Sequence, residues 1–122
     1  MFILSYKLGN VQGTDVTVAV PAPVACEVEE AYIVASIAVA SGADPKVVCE
    51  VYADDDATVL YSGSSETSGF GENAPVALTL QDGASKRYEA GQAIQLKLDF
   101  TNSIASATDI CFYLKCKLAR EL

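Results

Sequence analysis

Strict alternation of apolar and polar side chains constrains this chain more than any other feature. In Ile94-Gln95-Leu96-Lys97-Leu98-Asp99-Phe100, the four apolar residues fall on one side and Gln95, Lys97 and Asp99 on the other. A period of two is the period of a β-strand, because successive side chains leave opposite faces of the pleat. One apolar and one polar face mark a half-buried antiparallel strand. The stretch 110–118 repeats the pattern and predicts Ile110, Phe112, Leu114, Cys116 and Leu118 inward. In Val16-Thr17-Val18-Ala19-Val20 the three valines again share a face.

Further runs rich in β-branched and aromatic residues lie between these, and turn-forming clusters separate them. The breakers are Gly9-Asn10, Pro21-Ala22-Pro23, Ser41-Gly42-Ala43-Asp44-Pro45, the Ser62 to Asn73 segment, Gln81-Asp82-Gly83 and Thr101-Asn102-Ser103. The pattern predicts eight strands, over 2–8, 14–20, 28–39, 46–53, 57–62, 75–80, 93–101 and 109–118. No window shows the three-and-four spacing of an amphipathic helix, and 82–90 holds one short helical turn at most. The expected architecture is therefore all-β, an antiparallel sandwich or barrel. At 122 residues and 51% hydrophobic, the chain makes one domain over 1–122 with its own core. Residues 1–13 form either an N-terminal arm or an edge strand.

The net charge of −8 argues against binding nucleic acid or an anionic membrane surface. The local basic stretches, Lys86-Arg87 and Lys115 to Arg120, fit solvent-facing positions on strands. No run approaches the roughly 20 apolar residues of a membrane helix. Met1 to Lys7 lacks the charged and apolar regions of a signal peptide, so synthesis in a cytoplasm is expected. The spacing of Cys26, Cys49, Cys111 and Cys116 matches no zinc module, and the chain has no His. These cysteines read as reduced, small core hydrophobes.

The residues carry no recognisable enzyme chemistry. Ser-His and Cys-His catalysis need a base near neutrality, and no His supplies one. Ser85-Lys86 is adjacent in sequence, which is not the geometry of a Ser-Lys site. The carboxylates Glu27, Glu29, Glu30, Glu66, Glu72 and Glu89 lack the sugar-stacking Trp of a typical glycosidase groove. Asp54-Asp55-Asp56 is a weak calcium candidate in a predicted tight turn, with a solvated acidic turn as the ordinary reading. No cofactor is expected. Gly69-Phe70-Gly71-Glu72-Asn73 lacks the Lys and helix of a phosphate loop. Gly63, Gly69 and Gly71 predict that 62–73 is mobile and either crosses the sandwich end or reaches a partner. Its Phe70 either folds back over that end or anchors a partner. Phe70 joins Phe2, Ile3, Leu4 and Tyr6 of the apolar N-terminal segment as the candidate interaction residues.

Three segments together resemble the jelly-roll decoration, or cement, proteins of tailed-phage capsids. Val16 to Pro23 is a strand ending in a Pro-x-Pro turn. Cys26-Glu27-Val28-Glu29-Glu30-Ala31-Tyr32-Ile33-Val34 leads into an aromatic-aliphatic run. Tyr88-Glu89-Ala90-Gly91-Gln92-Ala93-Ile94-Gln95-Leu96 resembles the family's Gly-Asp-x-Ile-x-Val start of a late strand, with Gln92 in place of Asp. The resemblance spans about residues 14 to 118. It implies an eight-stranded antiparallel jelly-roll-like β-sandwich, assembled as a homotrimer, bound to the major capsid protein on the virion capsid surface. Its role would be to stabilise the shell, without catalysis. The competing expectation is a carbohydrate- or receptor-binding module of a head fibre or tail, with Tyr52, Tyr61, Tyr88 and Tyr113 as ring faces and Asp54 to Asp56 for calcium.

Overall fold

Alternation resolves into two antiparallel sheets packed face to face. The computed structural model describes residues 1–10, 15–82, 86–101 and 109–119. Its strands are β1 (Phe2–Asn10), β2 (Val16–Pro21), β3 (Cys26–Ala35), β4 (Val47–Tyr52), β5 (Val59–Ser64), β6 (Pro75–Ala77), β7 (Thr79–Leu80), β8 (Arg87–Tyr88), β9 (Ala93–Phe100) and β10 (Asp109–Leu118). The first sheet runs β1-β10-β3-β6, with β8 also paired to β3. The second runs β2-β9-β4-β5-β7. Among the described residues no helix forms.

The two long alternating strands lie inside the sheets. β9 is central in the second sheet, and Ile94, Leu96, Leu98 and Phe100 are buried. β10 is central in the first, with Ile110, Phe112, Leu114 and Cys116 buried. Opposite them lie Val28, Ala31, Ile33 and Ala35 from β3 and Val47, Cys49 and Val51 from β4. Each fully buried aliphatic side chain of this kind contributes about 1.5–3 kcal/mol of transfer free energy. Leu118, expected inward, is 60% exposed, because β10 ends there, beyond the buried Cys116.

Among the described residues there are ten strands rather than eight, for two reasons. The expected strand over 75–80 divides: Pro75–Ala77 pairs with β3, and Thr79–Leu80 pairs with β5 of the other sheet. Leu78 makes the crossing, with its N–H bonded to the Ala31 carbonyl and its side chain buried. Arg87–Tyr88, expected to be at most a helical turn, adds a short rung on β3 through Cys26↔Tyr88 and Glu27↔Arg87. The expected strand over 28–39 begins at Cys26 and stops at Ala35. Ser36 leaves the ladder: its N–H bonds the Asp109 carbonyl, and its hydroxyl bonds the Asp109 carboxylate at 3.0 Å.

The 65–74 connection is tied down rather than loose. Val39 and Phe70 exchange both backbone hydrogen bonds at 2.8 Å, and Asn73 N–H bonds the Ala35 carbonyl. Ser65 is buried and its hydroxyl accepts the Val47 N–H at 3.0 Å. Gly69 adopts φ 64°, a left-handed conformation in which a Cβ would collide with the Val39 carbonyl oxygen.

Candidate functional site

The N-terminal residues split by parity. Residues 2–10 form the edge strand β1, paired with β10 from Phe2↔Cys116 to Lys7↔Cys111. Phe2, Leu4 and Leu8 pack against the core from one face. Ile3 leaves by the other face and is 66% exposed. Tyr6 shares the parity of Leu4, yet it is exposed because the sandwich is open at this side. β2 is the edge of the opposite sheet. Leu4 and Tyr6 from β1 and Val20 from β2 line the same narrow gap above Leu96, Phe112 and Leu114. Among the described residues nothing pairs with the outer edge of β1 or of β2, so one lateral side of the sandwich carries two free strand edges and half-buried apolar side chains. The other side is closed by the 75–80 crossing.

Phe70 does not belong to an exposed interaction set. It is 2% exposed and packs in the core, held there by its backbone pair with Val39. Gly69, with its left-handed φ of 64°, supplies the turn beside it.

The Asp54 to Asp56 turn uses its central carboxylate internally. Asp55 accepts the N–H groups of Ala57 and Thr58 at 3.0 and 2.8 Å and the Thr58 hydroxyl at 2.6 Å. These bonds, the Thr58 hydroxyl first, lower its pKa to about 2. Among the described residues, no group of three or more His, Cys, Asp or Glu side chains is placed to hold a metal ion. The four cysteines are free thiols, three of them buried. Burial pushes Cys116 up to about 12, and Cys26 is raised by the same cause.

The four tyrosines proposed as a ring platform do not share a surface. Tyr61 and Tyr88 are buried, with hydroxyls bonded to the carbonyls of Val28 and Tyr52. Tyr113 instead lies beside Tyr32, its direct cross-strand partner. Sequence reading missed Tyr32 because the two meet only through the β3–β10 register. Together with Ile3, Val34, Asn73 and Pro75 they line a shallow groove of about 580 Å³ on the outer face of the first sheet.

A charged ladder borders this groove. β3 carries a bulge where the register shifts between Lys115 and Cys116, so Val28 and Ala31 both face the core and Glu29 and Glu30 both face out. Glu29 meets Lys117 at 2.9 Å and Lys86 at 3.4 Å, and Lys115 meets Glu30 at 3.8 Å. The Tyr32 hydroxyl donates to the Glu30 carboxylate. The Lys117 ammonium, foremost, lowers the pKa of Glu29.

No protein-family model, curated protein or solved structure matches this chain. Its functional reading therefore rests on its own surface: two free strand edges, one aromatic groove and one neutralised ladder.

Proposed function

We propose that the chain is a structural virion protein that binds the outside of a tailed-phage capsid and stabilises the shell, as a homotrimeric decoration protein without catalytic activity. Its partner is the major capsid protein. It is made in the host cytoplasm and resides on the capsid surface.

The open side of the sandwich is the observation that carries this reading. A free strand edge presents a row of backbone N–H and C=O groups, and another chain can extend the sheet there. Main-chain hydrogen bonds give the affinity, while alternate side chains find apolar pockets. β1 offers such an edge, with Phe2, Leu4 and Leu8 half-buried along one face. β2 offers a second edge that carries no charged side chain over Val16–Pro21. The strand order supports the jelly-roll form of the sandwich. The order β1-β10-β3-β6 opposite β2-β9-β4-β5 fits a chain laid down as two Greek keys.

The test is binding of the purified chain to shells that lack it, followed by release of packaged DNA on heating. Ser5→Pro and Tyr6→Pro form an informative pair, because neighbouring strand residues point their N–H groups to opposite edges. One of the two disturbs the ladder to β10 and lowers stability. The other blocks only the free edge. The fold-neutral variant is expected to lose shell binding and shell protection. Retained binding by that variant, or shells equally heat-resistant with and without the protein, would overturn the reading.

A further inference from the structure

The outer face of the first sheet differs in charge from the rest of the molecule. Its strands carry Lys7, Arg87, Lys115 and Lys117 against Glu27, Glu29, Glu30 and Asp109. Lys86 and Glu89, flanking β8, add one of each sign. Five of the chain's eight basic side chains thus meet five of its sixteen acidic ones, leaving three against eleven for everything else. The balance is local as well as formal. Lys7 pairs with Asp109 at 3.3 Å, Arg87 with Glu89 at 2.9 Å, and the bulge brings Glu29 and Glu30 onto the three lysines. Glu72 lies beside Asn73 at the loop end of the groove, off the strands.

Between these pairs the face is apolar. Tyr113 stands opposite Tyr32, and Cys111 stands opposite Val34, which pairs onward with Pro75. Small Ser5 and Ala77 flank the tyrosine row, so the rings rise above a low floor. Ile3 and Tyr113 are both exposed. Tyrosines on a rigid strand lose little conformational entropy on contact and carry a large apolar area.

We infer that copies of this chain associate through this face, the Tyr32–Tyr113 groove of each receiving a second copy. Two molecules of net charge −8 repel one another at most approaches. Across this sheet each presents a charge-balanced face with an apolar centre, most of whose charged groups pair within the chain. The occupant of the groove is a second copy: the homotrimer of the proposed function needs a contact between like-charged molecules, and this face is where their repulsion is least. The inference rests on the homotrimer of the proposed function and names its contact, and it uses the outer face rather than the edges of β1 and β2 through which the shell would be bound.

Sedimentation velocity of the purified chain over a concentration series, at low and physiological salt, tests it. The wild-type chain is expected to associate, and to do so more tightly as salt rises, because salt screens the net repulsion while leaving an apolar contact in place. Tyr113→Glu should weaken association about a hundredfold or more by putting a carboxylate into the contact. Ile3→Ser removes apolar surface without adding charge and should weaken it in the same direction, which keeps the test valid if Tyr113→Glu does not fold. Ala19→Lys, on the free edge of β2, should leave it unchanged. A mass of two or of three chains supports the contact so long as the Tyr113 and Ile3 variants dissociate it. A wild-type monomer at every concentration overturns the inference, including one that binds polysaccharide or shell through Tyr113. So does association that weakens with salt, or that Ala19→Lys abolishes and Tyr113→Glu does not. Shell binding by the same variants is scored separately, so failure of either reading is visible without the other.

Discussion

The Tyr61 hydroxyl donates to the Val28 carbonyl at 2.8 Å, joining a side chain of β5 in one sheet to the backbone of β3 in the other. Tyr88 returns the bond in the opposite sense, from β8 of the first sheet to the Tyr52 carbonyl of the second. Both bonds are buried or partly buried. Tyr61→Phe keeps the ring and removes the donor, leaving the Val28 carbonyl without it. The expected loss is about 1–2 kcal/mol with an unchanged denaturant slope, since the surface exposed on unfolding is the same. Urea unfolding of the variant against wild type measures it. No loss would mean that the bond does not contribute to joining the sheets.

Phe70→Ala is expected to cost about 3–5 kcal/mol, the range for deleting a buried aromatic ring. The ring is buried in the core cluster, and its backbone is paired with that of Val39. Gly69→Ala should be destabilising through a different route, by about 2–3 kcal/mol, because φ 64° strains any residue with a Cβ. Denaturant midpoints for both variants check this. A Phe70→Ala protein of wild-type stability would return the ring to the role of an anchor for a partner.

What the sequence revealed follows from how local each feature is. β9 was legible residue by residue, with burial following the period of two from Ile94 to Phe100, and β10 was legible from Ile110 as far as Cys116, short of the exposed Leu118. The Leu78 crossing was not, because Val76 to Leu80 reads as one strand and the change of sheet depends on which neighbouring edges are vacant. The bulge in β3 left a trace: the apolar period slips by one between Val28 and Ala31, across Glu29-Glu30. Phe70 was recognised as an apolar residue in a polar loop, but its partner Val39 lies in another loop. The Tyr32–Tyr113 pair depends on strand register alone, so no local pattern announces it.

Stability should decline in alkali. Burial raises the pKa of Cys49 and Cys26, Cys116 is pushed to about 12 from 9.0, and Tyr61 to about 12 from 10.0. A raised folded pKa means that the folded state keeps its proton more tightly than the unfolded chain does. The stabilisation is complete below the ordinary values, and it is lost as pH climbs from the thiol value of 9.0 through the folded values. The fully buried Cys49 contributes to this fall throughout the window. Urea midpoints across a pH series should be level near neutrality and fall above 9.0. Cys49→Val should make the fall shallower. A level profile across the window would show that these thiols ionise without penalty.

The Asp55 carboxylate makes the opposite case, in acid and at the surface. Its pKa is lowered to about 2 from 3.8 by the Thr58 hydroxyl and by the N–H groups of Thr58 and Ala57. A depressed folded pKa contributes stability that is present above 3.8 and lost as pH falls towards 2. The site is exposed, so the effect on global unfolding is small and is best read locally. Hydrogen exchange at the Ala57 and Thr58 amides should accelerate as pH falls through this range, beyond the intrinsic trend, and should be fast at all pH in Asp55→Ala. The same bonds determine the response to calcium. Three donors already occupy the oxygens that a cation would need, so calcium should leave both exchange and melting temperature unchanged. Slower exchange at these two amides on adding calcium would mean that the metal binds without displacing Thr58.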